Sequence, residues 1–216
     1  MENLEQIYKR RFGKDVEFRK KMWKILCNNF FQKYIPKNAV VLDVATGYCE
    51  FINNIKAGEK ITLDINPDIK KFANPDVKCL ESSSTEMKGV KDNSVDVVFT
   101  SNFFEHLSKK NIVKTIKEMY RVLKQDGQLL ILQPNIRYCY KDFWMFFDHI
   151  TPLDDRSLTE VLEINNFEVL ECKPKFLPYT TKSKIPKLLF LLKIYLKITL
   201  IQKIIGKQAF IRAKKL

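Results

Sequence analysis

Short runs of apolar residues alternate with segments of helical periodicity along most of the chain. The runs lie at residues 39–44, 60–65, 77–80, 95–101, 128–133 and 167–172. Nearly continuous apolar runs of this length are typical of strands that are buried on both faces of a parallel sheet. Helical spacing predicts helices at 15–34, after Ser108 and after Asp154, and a short one at 50–56. The alternation predicts an α/β fold, with a mostly parallel sheet and helices on both faces.

Carboxylates stand at the ends of the first two predicted strands. Asp43 ends the first run and Asp64 ends the second, 21 residues later. Ligands of open α/β sheets bind at the carboxyl ends of the strands, where an acidic residue can accept hydrogen bonds from ribose hydroxyls. The loop after Asp43 has one glycine, Gly47, where a dinucleotide fingerprint needs three, and Glu50 lies where a pyrophosphate would bind. The pattern therefore predicts a nucleoside-like cofactor without phosphates.

Four segments resemble one known family. The stretch VLDVATGYCEF resembles motif I of class I S-adenosylmethionine-dependent methyltransferases, and ITLDIN, ESSSTEM and DVVFTSNFFEHL resemble motifs II, III and IV in the same order. The resemblance covers about residues 38–172 and is to the small-molecule, methyltransferase type 11-like group. It implies a Rossmann-like sheet of seven strands and S-adenosylmethionine as the cofactor. The family's glycines are replaced here by Ala45 and Cys49, and its motif III acid by Ser84.

The resemblance also implies a set of cofactor-binding residues. Asp43 would anchor the amino group of the methionine end, and Gly47 would let the backbone approach the cofactor. Asp64 would hold the ribose, and Ile65 would pack on the adenine. The full implied set is Asp43, Ala45, Gly47, Asp64, Ile65, Ser84, Thr85, Ser101 and Asn102, with Ser84 and Thr85 at the adenine edge and Ser101 and Asn102 beneath the sulfonium.

The two histidines are the candidate catalytic residues. His106 follows the fourth predicted strand, and His149 follows the aromatic stretch YCYKDFWMFFDHI. If the methyl acceptor is a hydroxyl, a general base helps to remove its proton. Either histidine is a candidate for this base. The alternatives are a packing role for His106 and a helix C-terminal position for His149. The five cysteines are scattered, and no Cys or His cluster has metal-ligand spacing, so no metal site is expected.

Charge and apolar residues are unevenly distributed. The net charge is +13, yet no acidic residue follows Glu171, and 12 of the 38 lysines and arginines lie beyond it. Residues 184–206 interleave lysines with leucine, isoleucine and aromatic residues, and 207–214 alternates like a closing strand. We expect the 184–206 segment either to pack on the sheet with its lysines reaching outward, or to contact an anionic membrane as well.

The pattern divides the chain into three parts: an N-terminal helical cap (1–36), a methyltransferase core (37–175), and a basic apolar tail with a helix and a closing strand (176–216). Reduced thiols and an N-terminus without an apolar signal segment indicate a cytoplasmic location, with peripheral contact to the inner face of the membrane as an added expectation.

The expected acceptor is a small molecule, specifically an oxygen of a sugar or lipid-linked metabolite. Methyltransferases that act on nucleobase amino groups carry a Pro-Pro pair after the fourth strand, whereas this chain has Ser101-Asn102-Phe103-Phe104. No DNA partner is therefore expected. Two alternatives stay open: a cofactor-binding module with weak catalysis, and an RNA methyltransferase that uses the basic tail for docking.

Overall fold

The predicted α/β architecture is confirmed in the computed structural model, which describes residues 16–179 and 189–216. The strands are β1 (Val40–Val44), β2 (Glu59–Asp64), β3 (Val77–Glu81), β4 (Val95–Ser101), β5 (Leu123–Pro134), β6 (Phe167–Leu177) and β7 (Gln208–Lys215). They form one seven-stranded sheet in the order β3-β2-β1-β4-β5-β7-β6. β7 runs antiparallel to both β5 and β6, and the other neighbouring pairs are parallel. Residues 1–15 of the predicted cap and residues 180–188 of the tail lie outside the described residues.

Helices cover both faces of the sheet, as predicted. They are α1 (Val16–Asn29), α2 (Lys109–Val122), α3 (Ile136–Phe143), α4 (Asp155–Glu163), α5 (Leu189–Lys197) and α6 (Thr199–Ile205). Alternate residues of the central strands enter two cores. Phe99 packs with α1 and α5 on one face, whereas Val98 packs with α2 and α4 on the other. The near-continuous apolar runs reflect this burial on both sides.

The helix starts that carry local sequence signals lie where the sequence predicts them. The Ser108 side chain accepts a hydrogen bond from the amide of Asn111 at the start of α2. Asp154 and Ser157 form a capping box at the start of α4. These caps satisfy backbone N–H groups that would otherwise have no partner in the first turn.

The helix predicted at 50–56 is wrong, because only a short 3-10 helix forms at Ile52–Asn54. Two asparagines there form side-chain hydrogen bonds to the backbone, one to a nearby residue and one to the distant Asn74. The Asn54 side chain donates to the carbonyl of Glu50, and the Asn53 side chain accepts from the amide of Asn74. Such side-chain bonds compete with a regular helix. Helix α1 packs over this region and contributes to the same core.

The tail is built into the sheet rather than appended to it. The boundary predicted at 175 falls inside β6, and β7 lies between β5 and β6. The strand expected at 207–214 is present one residue later. Helices α5 and α6 lie on the α1 face, where Tyr195 is buried and donates a hydrogen bond to the carbonyl of Phe176. Among the described residues, no helix is both long and apolar enough to cross a membrane.

Candidate cofactor and acceptor site

A cavity of about 530 Å³ opens at the carboxyl ends of β1 and β4, beneath α1, α5 and α6. The polar and charged residues of its wall are Arg19, Asp43, Thr46, Tyr48, Glu50, Ser101, Asn102, Glu105, His106, His149, Tyr179, Tyr195 and Gln208. Apolar residues of its wall include Phe18, Met22, Trp23, Leu26, Phe99, Phe103, Leu132, Phe146, Leu177, Leu192 and Ile201. The cavity therefore combines a few convergent polar groups with a mainly apolar lining, as ligand sites commonly do.

Asp43 places a buried carboxylate at the end of β1, in the cavity wall. The Thr46 hydroxyl donates to its Oδ2 at 2.6 Å. Burial raises the pKa of Asp43 to about 7, and the negative charges of Asp64 and Glu50 add to this, although the Thr46 hydrogen bond acts in the opposite direction. A buried carboxylate is costly without a positive partner. The site therefore fits a ligand ammonium group, such as that of the methionine end of S-adenosylmethionine.

The loop after β1 has three residues in the left-handed region, at φ values of 58° for Ala45, 55° for Gly47 and 57° for Cys49. The family's glycines fall at these positions because glycine adopts such φ values without strain. Ala45 and Cys49 adopt them here while held by neighbours. The amide of Ala45 donates to the carbonyl of Leu63 at 2.8 Å, and the Cys49 side chain is buried. The turn thus keeps the family's backbone shape without two of its glycines.

Asp64 is tied to this loop from the end of β2. Its carboxylate accepts hydrogen bonds from the amide of Gly47 at 3.2 Å and from the amide of Asn66 at 2.9 Å. Burial raises its pKa, and these hydrogen bonds act against that rise. Ile65 beside it is 57% exposed, a large apolar side chain at a strand end. The pair fits a ribose and a flat base, although neither residue belongs to the cavity wall itself.

Ser84 and Thr85 are placed differently from the implied adenine contact. The Ser84 hydroxyl is buried and lies 2.9 Å from the Thr115 hydroxyl of α2. It is therefore directed toward α2, on the face of the sheet opposite to α1 and α5. The Thr85 hydroxyl lies 2.8 Å from that of Ser83. Neither residue lines the cavity. Any contact of Ser84 with an adenine therefore has to come from its backbone.

The far end of the cavity brings both histidines together. The ring centroids of His106 and His149 are 4.9 Å apart, at an angle of 78°. His106 Nδ1 lies 3.1 Å from the carbonyl of Asp148 and 3.2 Å from its carboxylate, which places the proton on Nδ1. His149 is buried, and its Nδ1 lies 3.5 Å from the Tyr179 hydroxyl. Helix α3 ends at Phe143, so His149 lies in a loop and not at a helix C-terminus.

Ser101 and Asn102 lie between the two ends of the site, at the tip of β4. Asn102 adopts a φ of 49°, and its side-chain amide donates to the Ser101 hydroxyl at 2.9 Å. Both residues line the cavity, as do Asp43, Ala45 and Gly47. Five of the nine implied cofactor residues therefore share one wall with the two histidines.

Two functional features were not found by the sequence analysis. Arg19 of α1 forms an ion pair with Glu50, and its Nε lies 2.9 Å from Glu50 Oε1, which fastens the N-terminal helix over the first loop. Glu105 is a buried carboxylate in the cavity wall that accepts a hydrogen bond from the Gln133 side chain at 3.0 Å. Burial raises the pKa of Glu105. The sequence did contain a signal for Glu105, since it is an acidic residue next to His106 in an otherwise apolar stretch.

Comparison with known proteins agrees with this geometry. Residues 42–131 match a family model described as a methyltransferase domain. An uncharacterised protein of Methanocaldococcus jannaschii is 33% identical over 101 residues, 46% of this chain and 42% of that protein. A demethylmenaquinone methyltransferase of Listeria welshimeri is 26% identical over 159 residues, 66% of this chain and 63% of that protein. The chain thus matches less than two thirds of the length of these relatives.

Solved structures share the fold. A SAM-dependent methyltransferase from Archaeoglobus fulgidus has a TM-score of 0.69 and 22% identity, and the match covers 94% of this chain and 99% of that one. A SAM-dependent methyltransferase from Methanosarcina mazei has a TM-score of 0.63 and 15% identity, covering 86% and 96%. Residues 42–131 thus match the methyltransferase domain family, and the sheet order and fold of the chain are those of class I, S-adenosylmethionine-dependent methyltransferases.

Proposed function

We propose that this protein transfers a methyl group from S-adenosylmethionine to a small molecule, at an oxygen of a sugar or lipid-linked metabolite. One observation carries the proposal. A single cavity wall joins a buried carboxylate suited to the cofactor ammonium, Asp43, to two adjacent histidines, His106 and His149. Cofactor anchor and acceptor chemistry are therefore next to each other, as methyl transfer requires.

The proposed site residues fall into two sets, one that binds the cofactor and one that acts on the methyl acceptor. Asp43 and Asp64 would hold the ammonium and the ribose, and the bound cofactor supplies an electrophilic methyl group on a sulfonium. His106 Nε2 accepts the acceptor's proton, because Asp148 holds the proton of the other ring nitrogen. The aromatic and aliphatic wall keeps water from the site, which strengthens the electrostatic contacts within it.

The lining of the cavity supports an acceptor with apolar parts. Leu192 and Ile201, from α5 and α6, line it opposite Phe99 of the sheet. One relative at 26% identity is named a demethylmenaquinone methyltransferase, which agrees with a small-molecule acceptor. Among the described residues, Arg19 is the one lysine or arginine of the wall, and it pairs with Glu50. The described wall therefore lacks the row of cations that a phosphate backbone needs, which favours a metabolite over RNA.

A two-step experiment tests the proposed function. Calorimetric titration measures S-adenosylmethionine binding to the full chain. Incubation with metabolite and lipid extracts then measures S-adenosylhomocysteine release, while mass spectrometry searches for products heavier by one CH₂. Binding together with a methylated small molecule is expected. Binding without turnover would support a cofactor-binding module instead, methylated RNA would support the nucleic-acid alternative, and no binding would refute the proposal.

Replacing Asp64 by alanine should weaken S-adenosylmethionine binding while the fold stays intact. Hydrogen bonds from the ribose to a charged acceptor contribute about 1.5–3 kcal/mol, so we expect a loss of about 10- to 150-fold in affinity. Calorimetric titration measures it. The matched control is Asp76→Ala, which removes an exposed carboxylate just before β3, at the other end of the sheet. Unchanged affinity in Asp64→Ala would remove this residue from the site.

We further propose that α5 and α6 rest on an anionic membrane surface and place the cavity near lipid-linked acceptors. Their inner side chains line the cavity, whereas their outer surface mixes apolar and basic groups. That α5–α6 outer surface consists of Phe190, Lys193, Lys197, Leu200, Lys203 and Ile204, all exposed. Leu200 and Ile204 are 68% and 69% exposed. Exposed apolar side chains among lysines are suited to an interface that carries negative charge.

Sedimentation with liposomes tests the membrane proposal. The protein should pellet with anionic phosphatidylglycerol vesicles at low salt and be released as salt rises. Each lysine near such a surface contributes about 1 kcal/mol, so the triple variant Lys193→Gln, Lys197→Gln, Lys203→Gln should lose about 100-fold in partitioning. The matched control carries glutamine at Lys110, Lys114 and Lys117, exposed residues of α2 on the opposite face of the sheet. Equal partitioning onto neutral and anionic vesicles, or none, would refute the electrostatic contact.

A further inference from the structure

Three potential metal ligands meet at the acceptor end of the cavity, although the sequence has no cluster with metal-ligand spacing. Glu105 and His106 lie in the 3-10 helix Phe104–His106 after β4, and His149 lies in the loop after α3. Each offers one ligand atom, and the three atoms lie within 4.8 Å of one another. Glu105 and His149 are buried, and the His106 side chain is 27% exposed. The fold thus assembles what local spacing did not show.

Each of the three side chains is oriented by a partner on its other polar atom. His106 contacts Asp148 through Nδ1, and His149 lies near the Tyr179 hydroxyl through Nδ1. Glu105 accepts the Gln133 side chain at Oε2. Its Oε1 lies 4.0 Å from His106 Nε2. Metal-binding histidines usually donate their second ring N–H to a carboxylate or carbonyl, and metal-binding carboxylates are themselves hydrogen-bonded.

We propose that Glu105, His106 and His149 bind one Zn²⁺ ion, with a remaining coordination position directed to the methyl acceptor. Two imidazoles and one carboxylate form a ligand set that catalytic zinc sites use. Ligand atoms of a tetrahedral zinc ion are about 3.3 Å apart, so the three side chains close by roughly 1 Å on binding. A divalent cation would also offset the charge of the buried Glu105 carboxylate, whose ion-pair contact among the described residues is with His106, at 4.0 Å.

The ion's role rests on the proposed function. An acceptor hydroxyl bound to the metal loses its proton to water more readily, because the cation stabilises the oxyanion. The oxygen lone pair then forms the O–CH₃ bond while the S–CH₃ bond breaks. The electron pair of that bond stays on sulfur, which becomes the neutral thioether of S-adenosylhomocysteine. No oxidant or reductant is consumed. With the ion bound, this scheme replaces one role in the proposed function: His106 Nε2, the general base of the metal-free reaction, is then a zinc ligand, and water takes the proton instead.

Direct metal binding tests the proposal without reference to activity. Full-length protein stripped with a chelator is titrated with ZnCl₂ by calorimetry, and with CoCl₂ by visible absorption, which reports the coordination of the ion. One equivalent should bind with micromolar or tighter affinity. The near-isosteric Glu105→Gln variant should weaken binding by about 10- to 100-fold, as should His149→Ala. Cys172→Ala is the matched control, because this exposed thiol could bind zinc elsewhere, and it should leave the affinity unchanged.

The outcomes separate this inference from the proposed function. Absence of stoichiometric metal binding in the wild-type protein, or equal affinity in the wild-type and both ligand variants, would overturn the zinc site. Titration of S-adenosylmethionine in the same preparation reports on the function independently. A protein that binds the cofactor but no metal keeps the proposed function and loses the zinc site, whereas one that binds metal but no cofactor does the reverse.

Discussion

His106→Ala is expected to lower turnover by about 10²- to 10⁴-fold while changing S-adenosylmethionine affinity little. The reason is geometric. His106 lies at the acceptor end of the cavity, with its Nδ1 held by Asp148 and its ring 4.9 Å from that of His149. Asp43 and Asp64, which we assign to the cofactor, belong to other strand ends. The measurement pairs S-adenosylhomocysteine release with calorimetric titration of the cofactor.

His149→Ala is the comparison that gives the result its meaning. If His106→Ala turns over normally with an identified acceptor, His106 has only a packing role and His149 becomes the leading catalytic residue. An equal loss in both variants would show that the two rings act as one unit, whether on a proton or on a shared ion. Melting temperatures of both variants should be recorded, because His149 is buried and its removal leaves a cavity.

Asp43→Asn is expected to weaken cofactor binding by about 150- to 5,000-fold and to stabilise the unliganded protein near pH 8. Leaving a ligand ammonium without its buried partner costs about 3–5 kcal/mol. The stability change follows from the pKa of Asp43, which burial raises to about 7. A raised carboxyl pKa contributes stability that is fully present below the unfolded pKa of 3.8 and is lost as pH rises through 7. Asparagine, which carries no charge, removes that loss.

The pH dependence of binding provides a second measurement of the same residue. Because the ammonium requires the ionised carboxylate, wild-type affinity should rise with pH between 5 and 8, by up to tenfold per unit below 7. Asp43→Asn should flatten this part of the curve. Asp126→Asn is the matched control, since its side chain is 71% exposed and asparagine tolerates the φ of 60° at this position. A wild-type affinity independent of pH would separate Asp43 from the ammonium.

The sequence by itself determined the features that depend on nearby residues. Apolar runs identified the strands of the sheet because burial on both faces leaves a local pattern, and Ser108 marked the start of α2 because capping involves residues only a few positions apart. Asp43 and Asp64 were found at strand ends for the same reason. Helix α3 was not among the predicted helices, although its apolar residues follow the helical period and Asn135 caps its start.

Only the tertiary structure decided the direction in which each side chain points and which distant segments of the chain come together. Ser84 was assigned to an adenine, yet its hydroxyl is directed to Thr115 of α2, a choice made by packing between layers. Glu105 and His149 are distant in sequence and meet because the amides of Ile150 and Thr151 both donate to the carbonyl of Glu105. Such long-range hydrogen bonds leave no periodic trace in a sequence. The acceptor end of the cavity therefore became visible only once the chain had folded.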